Sequence, residues 1–268
     1  MPTDKLNFSC VLVTGGARGI GKALAEYFVH LGKKVILVGR NEWNFSAAAK
    51  EIDAEAYYVL DVGVSADIPA FVERITKEHP ELDCIVNNAG VQRQIDIVDG
   101  DLEDFLSKAD QEIDINIRGP LHLTMNLLLH LRSKPQATIV NVSSLLAFLP
   151  TRMASPVYNG TKAWLHFWTM NLRTALERVN DNIRVIGIAP PSVGTDLHRE
   201  AEDPDDNKKH KSPTALTIEE FMEEIEPKLE RGDYFIGAGP GVQLIERWQQ
   251  NFEPVYESAV AKIKWGKP

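Results

Sequence analysis

The stretch CVLVTGGARGIGKALAEYFVHLG, Cys10 to Gly32, passes from a β-rich apolar run through a cluster of glycines into an amphipathic helix pattern. The glycines fall in TGGARGIG, Thr14 to Gly21, where the strand gives way to the helix. Gly15 and Gly16 suit a tight turn, and Gly19 and Gly21 let the backbone approach a pyrophosphate closely. Ile20 belongs to the same turn, and the helix N-terminus that follows presents oriented amides to phosphate. A P-loop would end in a lysine and a hydroxyl; this turn has neither, so ATP is the poorer ligand.

Outward from this unit the alternation continues. KVILVG, EAYYVLDV, LDCIVNNAG, ATIVNVSS, NIRVIGIAPP and DYFIG read as six further strands. FVERITKEH, the interval from Leu102 to Leu131, VYNGTKAWLHFWTMNLRTALERV and TIEEFMEEIEPKLE read as helices, and Gly119 and Pro120 break or kink the second of them. Strands separated by helix-length segments favour right-handed crossovers, which predicts an α/β fold with a mostly parallel central sheet flanked by helices. No repeat, low-complexity arm or second domain divides residues 1–268. Residues 195–230 are expected to form a substrate lid, although EAEDPDDNKKHKSP also reads as a plain charged surface loop. Residues 241–265 read as a C-terminal helical extension with Trp248, Phe252 and Tyr256 on one face. That face either covers the substrate pocket or docks on a neighbouring subunit.

Composition narrows the class. The 268 residues are 44% hydrophobic, enough for one domain with a substantial core. A formal net charge of −9 argues against nucleic-acid or anionic-membrane partners. Cys10 and Cys84 lie in apolar strands, so neither a disulfide framework nor a metal site is expected. MPTDKLNF does not resemble a secretion signal, and LHLTMNLLLHLR is too interrupted by polar groups to span a membrane. These features point to a cytoplasmic protein in a reducing compartment.

The second strand ends VILVGRN. A nicotinamide site that selects NAD often has an acid here to hold both ribose hydroxyls. Gly39 occupies that place and Arg40 follows, while Arg18 in the glycine turn is placed to approach the same group. Paired arginines suit a ribose phosphate, so NADP (NADPH) is the expected cofactor and NAD the less favoured one. Asp61 and Val62, after YYVL, either border the adenine pocket or cap a turn.

TGGARGIG, NNAG (Asn87 to Gly90), INIRG around Asn116, NVSS (Asn141 to Ser144) and YNGTK (Tyr158 to Lys162) occur in one order along the chain. Together they resemble the short-chain dehydrogenase/reductase family from Val11 to about Gly237, with its Rossmann fold. NNAGVQRQID and the carboxyl-terminal arrangement look more specifically like DltE-like reductases. The resemblance implies a catalytic group of Asn116, Ser144, Tyr158 and Lys162. Tyr158 would exchange the proton and Ser144 would position the substrate. Lys162 would serve the phenol and the nicotinamide ribose, and Asn116 would shape the site and a relay water. Asn88, Ala89 and Gly90 would join the cofactor contacts. Family spacing sets the serine thirteen residues before the tyrosine, whereas Ser144 stands fourteen before Tyr158 and Ser143 fifteen. One extra residue in the intervening loop favours Ser144. After the sixth strand the family has proline-glycine, but Pro190 is followed by Pro191, which alters the loop; the resemblance still implies cofactor contacts from Pro190, Val193 and Thr195, with Gly194 restoring part of the flexibility.

Pocket candidates follow the strand ends: Gln92, Arg93, Leu145, Leu146, Phe148, Met153, Leu197 and His198. Their apolar members suit an apolar or aromatic carbonyl compound. Trp164, Phe167 and Trp168 fit either the core or a homodimer or homotetramer interface. The expected activity is NADP(H)-dependent reduction of a ketone or aldehyde, or the reverse oxidation of an alcohol. An NAD-dependent alcohol dehydrogenase and a non-catalytic nucleotide-sensing scaffold are the alternatives.

Overall fold

The computed structural model describes residues 6–179 and 181–263; the last two residues of the expected C-terminal extension lie outside them. Seven strands form one parallel sheet: β1 (Cys10–Thr14), β2 (Lys34–Gly39), β3 (Ala56–Val59), β4 (Cys84–Asn87), β5 (Ala137–Val142), β6 (Ile183–Ala189) and β7 (Phe235–Gly237). Their order is β3-β2-β1-β4-β5-β6-β7. The chain winds outward in opposite directions from β1, so a crevice opens at the carboxyl ends of β1 and β4, where such folds take their ligands.

Among the described residues, eight α-helices connect and flank the strands: α1 (Gly19–His30), α2 (Glu42–Ile52), α3 (Ile68–Glu78), α4 (Leu102–Ile113), α5 (Gly119–Arg132), α6 (Pro156–Arg178), α7 (Ile218–Arg231) and α8 (Gly241–Ala261). Because both sheet faces are covered, the central strands are mostly apolar and buried, while the edge strand β3 is only partly so. Val11 and Val13 face a core built with α1, α2 and α7, while Cys10 and Leu12 face one built with α3, α5 and α6. Both cysteines are buried and free, and desolvation pushes the Cys10 thiol up to about 12.

Two junctions position the site. A π-helical turn, Asp114–Arg118, joins α4 to α5 immediately before the expected break at Gly119, and it carries Asn116. Such wide turns displace a side chain from the regular helical track. The loop after β6 is held by the Val193–Leu216 bridge and by the amide of Gly194 donating to the Leu216 carbonyl at 2.9 Å, so Pro191 leaves the loop ordered. The face of Trp248 and Tyr256 packs on α6 of the same chain. Trp248 meets His166 edge-on at 4.9 Å, and the Tyr256 hydroxyl lies 2.8 Å from that of Thr174. No residue of α8 lines the cavity at the carboxyl ends of the strands, and Phe252 on the same face stays exposed. Among the described residues, no helix is long and apolar enough to cross a membrane.

Candidate active site

A cavity of about 810 Å³ runs along the carboxyl ends of the strands, from the α1 N-terminus and the end of β2 to the start of α6. At one end stands the glycine turn. Gly15 and Gly19 adopt φ of 67° and 54°, a region that favours glycine. Gly21 has a different reason: a Cβ there would lie 2.3 Å from Asn88 Nδ2 and 2.5 Å from the Gly15 carbonyl. Asn88 donates from Nδ2 to the Thr14 carbonyl at 2.9 Å, which ties the NNAG turn to the glycine turn. Free amides at the N-terminus of the twelve-residue helix α1 complete a cradle suited to a dinucleotide's phosphates.

Most of the residues expected to hold the cofactor line this cavity: Gly15, Arg18, Gly19, Ile20, Gly21, Gly39 and Arg40 from the first two βα units, then Asp61, Val62, Asn88, Ala89 and Gly90. Pro190, Val193 and Thr195 complete its far side. Thr14 and Gly16 do not line it. Thr14 is buried and its hydroxyl accepts from the amides of Asn88 and Ala89, both at 3.0 Å. Gly16 packs inward, where a Cβ would meet Leu37 at 2.8 Å. Gly39 has no room for an acid, since a Cβ would fall 2.2 Å from the Phe45 ring. Arg18 donates to Asn44 Oδ1 at 3.2 Å, and Arg40 lies 3.7 Å from Asp61. Asp61 borders the cavity and accepts from the Gly63 amide at 2.9 Å, which caps the turn.

Ser144, Tyr158 and Lys162 meet on the cavity wall between β5 and α6. Ser143 also borders the cavity, but its hydroxyl donates to the Lys162 carbonyl at 2.9 Å and fixes strand to helix. Lys162 Nζ donates to the Val142 carbonyl at 2.9 Å and lies 5.5 Å from the Tyr158 ring centre. Its ammonium has three protons, so two remain for a ligand. Burial lowers Lys162 to about 8, against the opposing pull of Glu112. Burial, with Glu112 adding to it, pushes the Tyr158 phenol well above its ordinary value, while the Ser144 hydrogen bond and the Arg152 charge oppose the rise. Tyr158 is therefore a protonated phenol at neutral pH, the form that donates.

Asn116 is not in the cavity wall. Its Nδ2 donates to the Val91 carbonyl at 2.9 Å and to the Thr161 hydroxyl at 3.1 Å, and its Oδ1 accepts from the Val91 amide at 2.9 Å. Both amide protons and one lone pair of Oδ1 are used, so the side chain clamps the loop after β4 against α6. A polar chain behind it escaped the sequence reading. Asn87 donates to the Thr124 hydroxyl at 3.0 Å and to Asn141 Oδ1 at 2.8 Å, and Asn141 donates to the Thr169 hydroxyl at 2.9 Å. Asparagines in otherwise apolar strands were its visible signal.

Glu112 also went unread. It is fully buried, its Oε1 accepts the Arg93 amide at 2.6 Å, and its Oε2 has no partner. Burial raises its carboxyl to about 7, with Arg93 and Lys162 pulling the other way. The folded state holds this proton more tightly than the unfolded chain, so the group costs stability increasingly as pH rises from its ordinary value towards 7. Glu112→Gln should stabilise the protein by about 3 kcal/mol above that window, with the gain fading in mild acid. Denaturant unfolding on either side of the window measures this; an equal change at both pH values would contradict it.

The pocket candidates divide. Gln92, Leu145, Leu146, Leu197 and His198 line the cavity. Phe148 instead packs on His166 at 4.3 Å between ring centres, and Met153 is 77% exposed. Arg93 turns to Glu200 at 2.5 Å and Gln111 at 3.1 Å. Trp164 and Trp168 stack on each other at 5.8 Å, while Phe167 is exposed. Among the described residues, no group of three or more histidine, cysteine or acidic side chains is placed to hold a metal ion.

A glycine-turn dinucleotide cavity ending in a Ser-Tyr-Lys cluster defines a nucleotide-dependent oxidoreductase. The family model for short chain dehydrogenase matches residues 9–206, and the chain belongs to that family. It is similar to the uncharacterized oxidoreductase DltE of Bacillus subtilis (strain 168), with 36% identity over 228 residues, 85% of this chain and 87% of the relative. A short-chain dehydrogenase from Sphingobium yanoikuyae in complex with NADPH superposes with a TM-score of 0.78 at 22% identity, covering 97% of this chain and 98% of its own. A 3-ketoacyl-(acyl-carrier-protein) reductase from Brucella melitensis complexed with NADH gives 0.74 at 24% identity, covering 88% and 99%.

Proposed function

We propose that the protein is an NADP(H)-dependent carbonyl reductase that converts a ketone or aldehyde to its alcohol, reversibly. The observation that carries this reading is a protonated Tyr158 beside Ser144 and Lys162 on the wall of the dinucleotide cavity. Bound nicotinamide supplies the hydride. As the substrate oxygen gains negative charge, Ser144 and Tyr158 donate hydrogen bonds to it, and Tyr158 then gives up its phenolic proton. Lys162 stabilises the phenolate that remains and offers its two spare protons to the ribose. Asn116 and Glu112 hold the loop after β4 in place behind them. Leu145, Leu146 and Leu197 offer the apolar side of a substrate its contacts. A panel of ketones, aldehydes and alcohols with both nicotinamide forms, followed by reduced-cofactor absorbance, tests the reading. Turnover of none of them would remove it.

Preference for the phosphorylated cofactor rests on Arg18 and Arg40 in the cavity and on the absence of room for an acid at Gly39. The Arg40–Asp61 pair favours a second reading, NAD, because Asp61 partly occupies the arginine. Arg40→Gln separates the two. It should weaken NADPH about tenfold or more and leave NADH within about twofold, the loss expected for one charged hydrogen-bonding contact. Equal weakening of both forms in binding titrations would overturn the assigned phosphate contact. Exposed Met125 and Leu129 on α5 and Phe167 on α6 support assembly into a homodimer or homotetramer. The segment from Thr195 to Asn207, which meets the cavity and is tied to Arg93 and Arg152, supports the lid reading.

A further inference from the structure

One wall of the cavity near Tyr158 carries a guanidinium, and a carboxylate from the protein already sits on it. Arg152, in the loop before α6, donates from its guanidinium to Asp206 Oδ2 at 2.7 Å. His198 Nδ1 meets the other oxygen of the same carboxylate. Burial lowers the His198 pKa, so the ring is neutral and its Nδ1–H donates. Burial would raise the Asp206 carboxyl, but the hydrogen bonds from Arg152 and His198 outweigh it and hold the group below its ordinary value. Arg152 and His198 both line the cavity, and the charge of Arg152 is felt at the Tyr158 phenol.

Asp206 is one of several ties on its segment, and the others do not depend on it. The next residue, Asn207, is buried and donates from Nδ2 to the carbonyls of Val193 and Thr195, each at 3.0 Å. Lys208 donates to the Thr195 carbonyl at 3.0 Å, and Glu200 is held by Arg93. With these ties in place, the Asp206 side chain can leave Arg152 while the segment stays closed. Two further donors lack an acceptor: Arg152 Nε and Gln92 Nε2 are buried without a partner, and both residues line the cavity. A carboxylate accepts only, through two oxygens, and matches a planar guanidinium.

We propose that the substrate carries a carboxylate, which Arg152 receives in place of Asp206, with Asp206 standing in for it on the closed lid. The inference rests on the carbonyl-reduction reading and narrows it to a keto acid and its hydroxy acid. The apolar part of the molecule lies against Leu145, Leu146 and Leu197, and the carbonyl faces Ser144 and Tyr158. No step is added to the reduction: the carboxylate is bound, not transformed, and Asp206 is displaced without exchanging a proton.

The test pairs short-chain α-, β- and γ-keto acids with their methyl esters, which keep the shape and lose the charge. At least one acid should exceed its ester in kcat/KM by about 10- to 100-fold, the range for a charge-assisted contact. Arg152→Gln should bring the acid-to-ester ratio of kcat/KM to about one; the ratio is the readout because the lost charge also acts on the Tyr158 phenol for both substrates. Asp206→Asn, which weakens the stand-in, should lower KM for the acid and leave the ester unchanged. Acids no better than esters, or both variants acting on acid and ester alike, would overturn the proposal and leave carbonyl reduction standing. In parallel, hydroxy acids and hydroxy esters are titrated calorimetrically into the NADPH-loaded protein. An acid preference that disappears in Arg152→Gln supports the carboxylate site even if no carbonyl is reduced, in which case the reductase reading is what fails. Equal binding of acid and ester in the wild type sinks the site on its own.

Discussion

Tyr158→Phe is expected to lower kcat for carbonyl reduction by about three orders of magnitude, within the range for removal of a positioned proton donor. NADPH affinity should stay within about threefold and the fold should be intact, because Phe keeps the buried ring that Tyr158 contributes from the first turn of α6. The size of the effect follows from the phenol's environment. Burial and the Glu112 charge hold its proton tightly, so it is released only as negative charge develops on the substrate oxygen. Ser144 remains in the variant as a hydrogen-bond donor, but a serine hydroxyl is too weak an acid to complete the transfer. Steady-state kinetics with the best carbonyl substrate, beside a cofactor titration, make the measurement. Near-normal turnover by a correctly folded Tyr158→Phe protein would overthrow the assigned role.

The strands were legible because a parallel sheet covered on both faces leaves mostly apolar runs, as in CVLVT of β1 and VILVG of β2. The glycine turn and the Tyr158–Lys162 spacing were legible because local geometry imposes them. α2 was passed over, although Asn41 caps its first turn by accepting from the Asn44 amide at 3.0 Å. Glu112 was invisible for a different reason. An acid on an amphipathic helix reads as solvated, and only the loop after β4, folded over it and clamped by Asn116, buries it. The same holds for Arg152 and Asp206, which are 54 positions apart and share no periodicity. Phe148 and Met153 show the converse error: their places after Ser144 and before Tyr158 suggested the pocket, but one packs on His166 and the other faces solvent. Position along the strand ends chose the neighbourhood; side-chain direction came from contacts made at long range.

Lys162→Ala should separate function from folding more sharply than its burial suggests. Desolvation lowers the ammonium from its ordinary value to about 8, so the folded state binds this proton less tightly than the unfolded chain. Stability therefore rises with pH from about 8 towards the ordinary lysine value, and below that window the buried charge costs about 3 kcal/mol. Alanine removes that cost and, with it, three methylenes whose packing is worth about 2–3 kcal/mol. The two nearly cancel at neutral pH, leaving the unpartnered Val142 carbonyl as a further cost of about 1 kcal/mol. The variant should fold. It should nevertheless bind NADPH about 10- to 100-fold more weakly, because two charge-assisted donors to the ribose are gone. kcat should also fall at least about 100-fold, since the phenolate left after proton transfer has lost its cation. In the wild type, affinity for NADPH should decline as pH passes above about 8, where Lys162 loses its charge, and the variant should lack that decline. Fluorescence titration of NADPH across that pH, with single-turnover kinetics on both proteins, reads all three effects. Normal affinity with slow turnover would confine Lys162 to the phenol; normal values of both would remove it from the site.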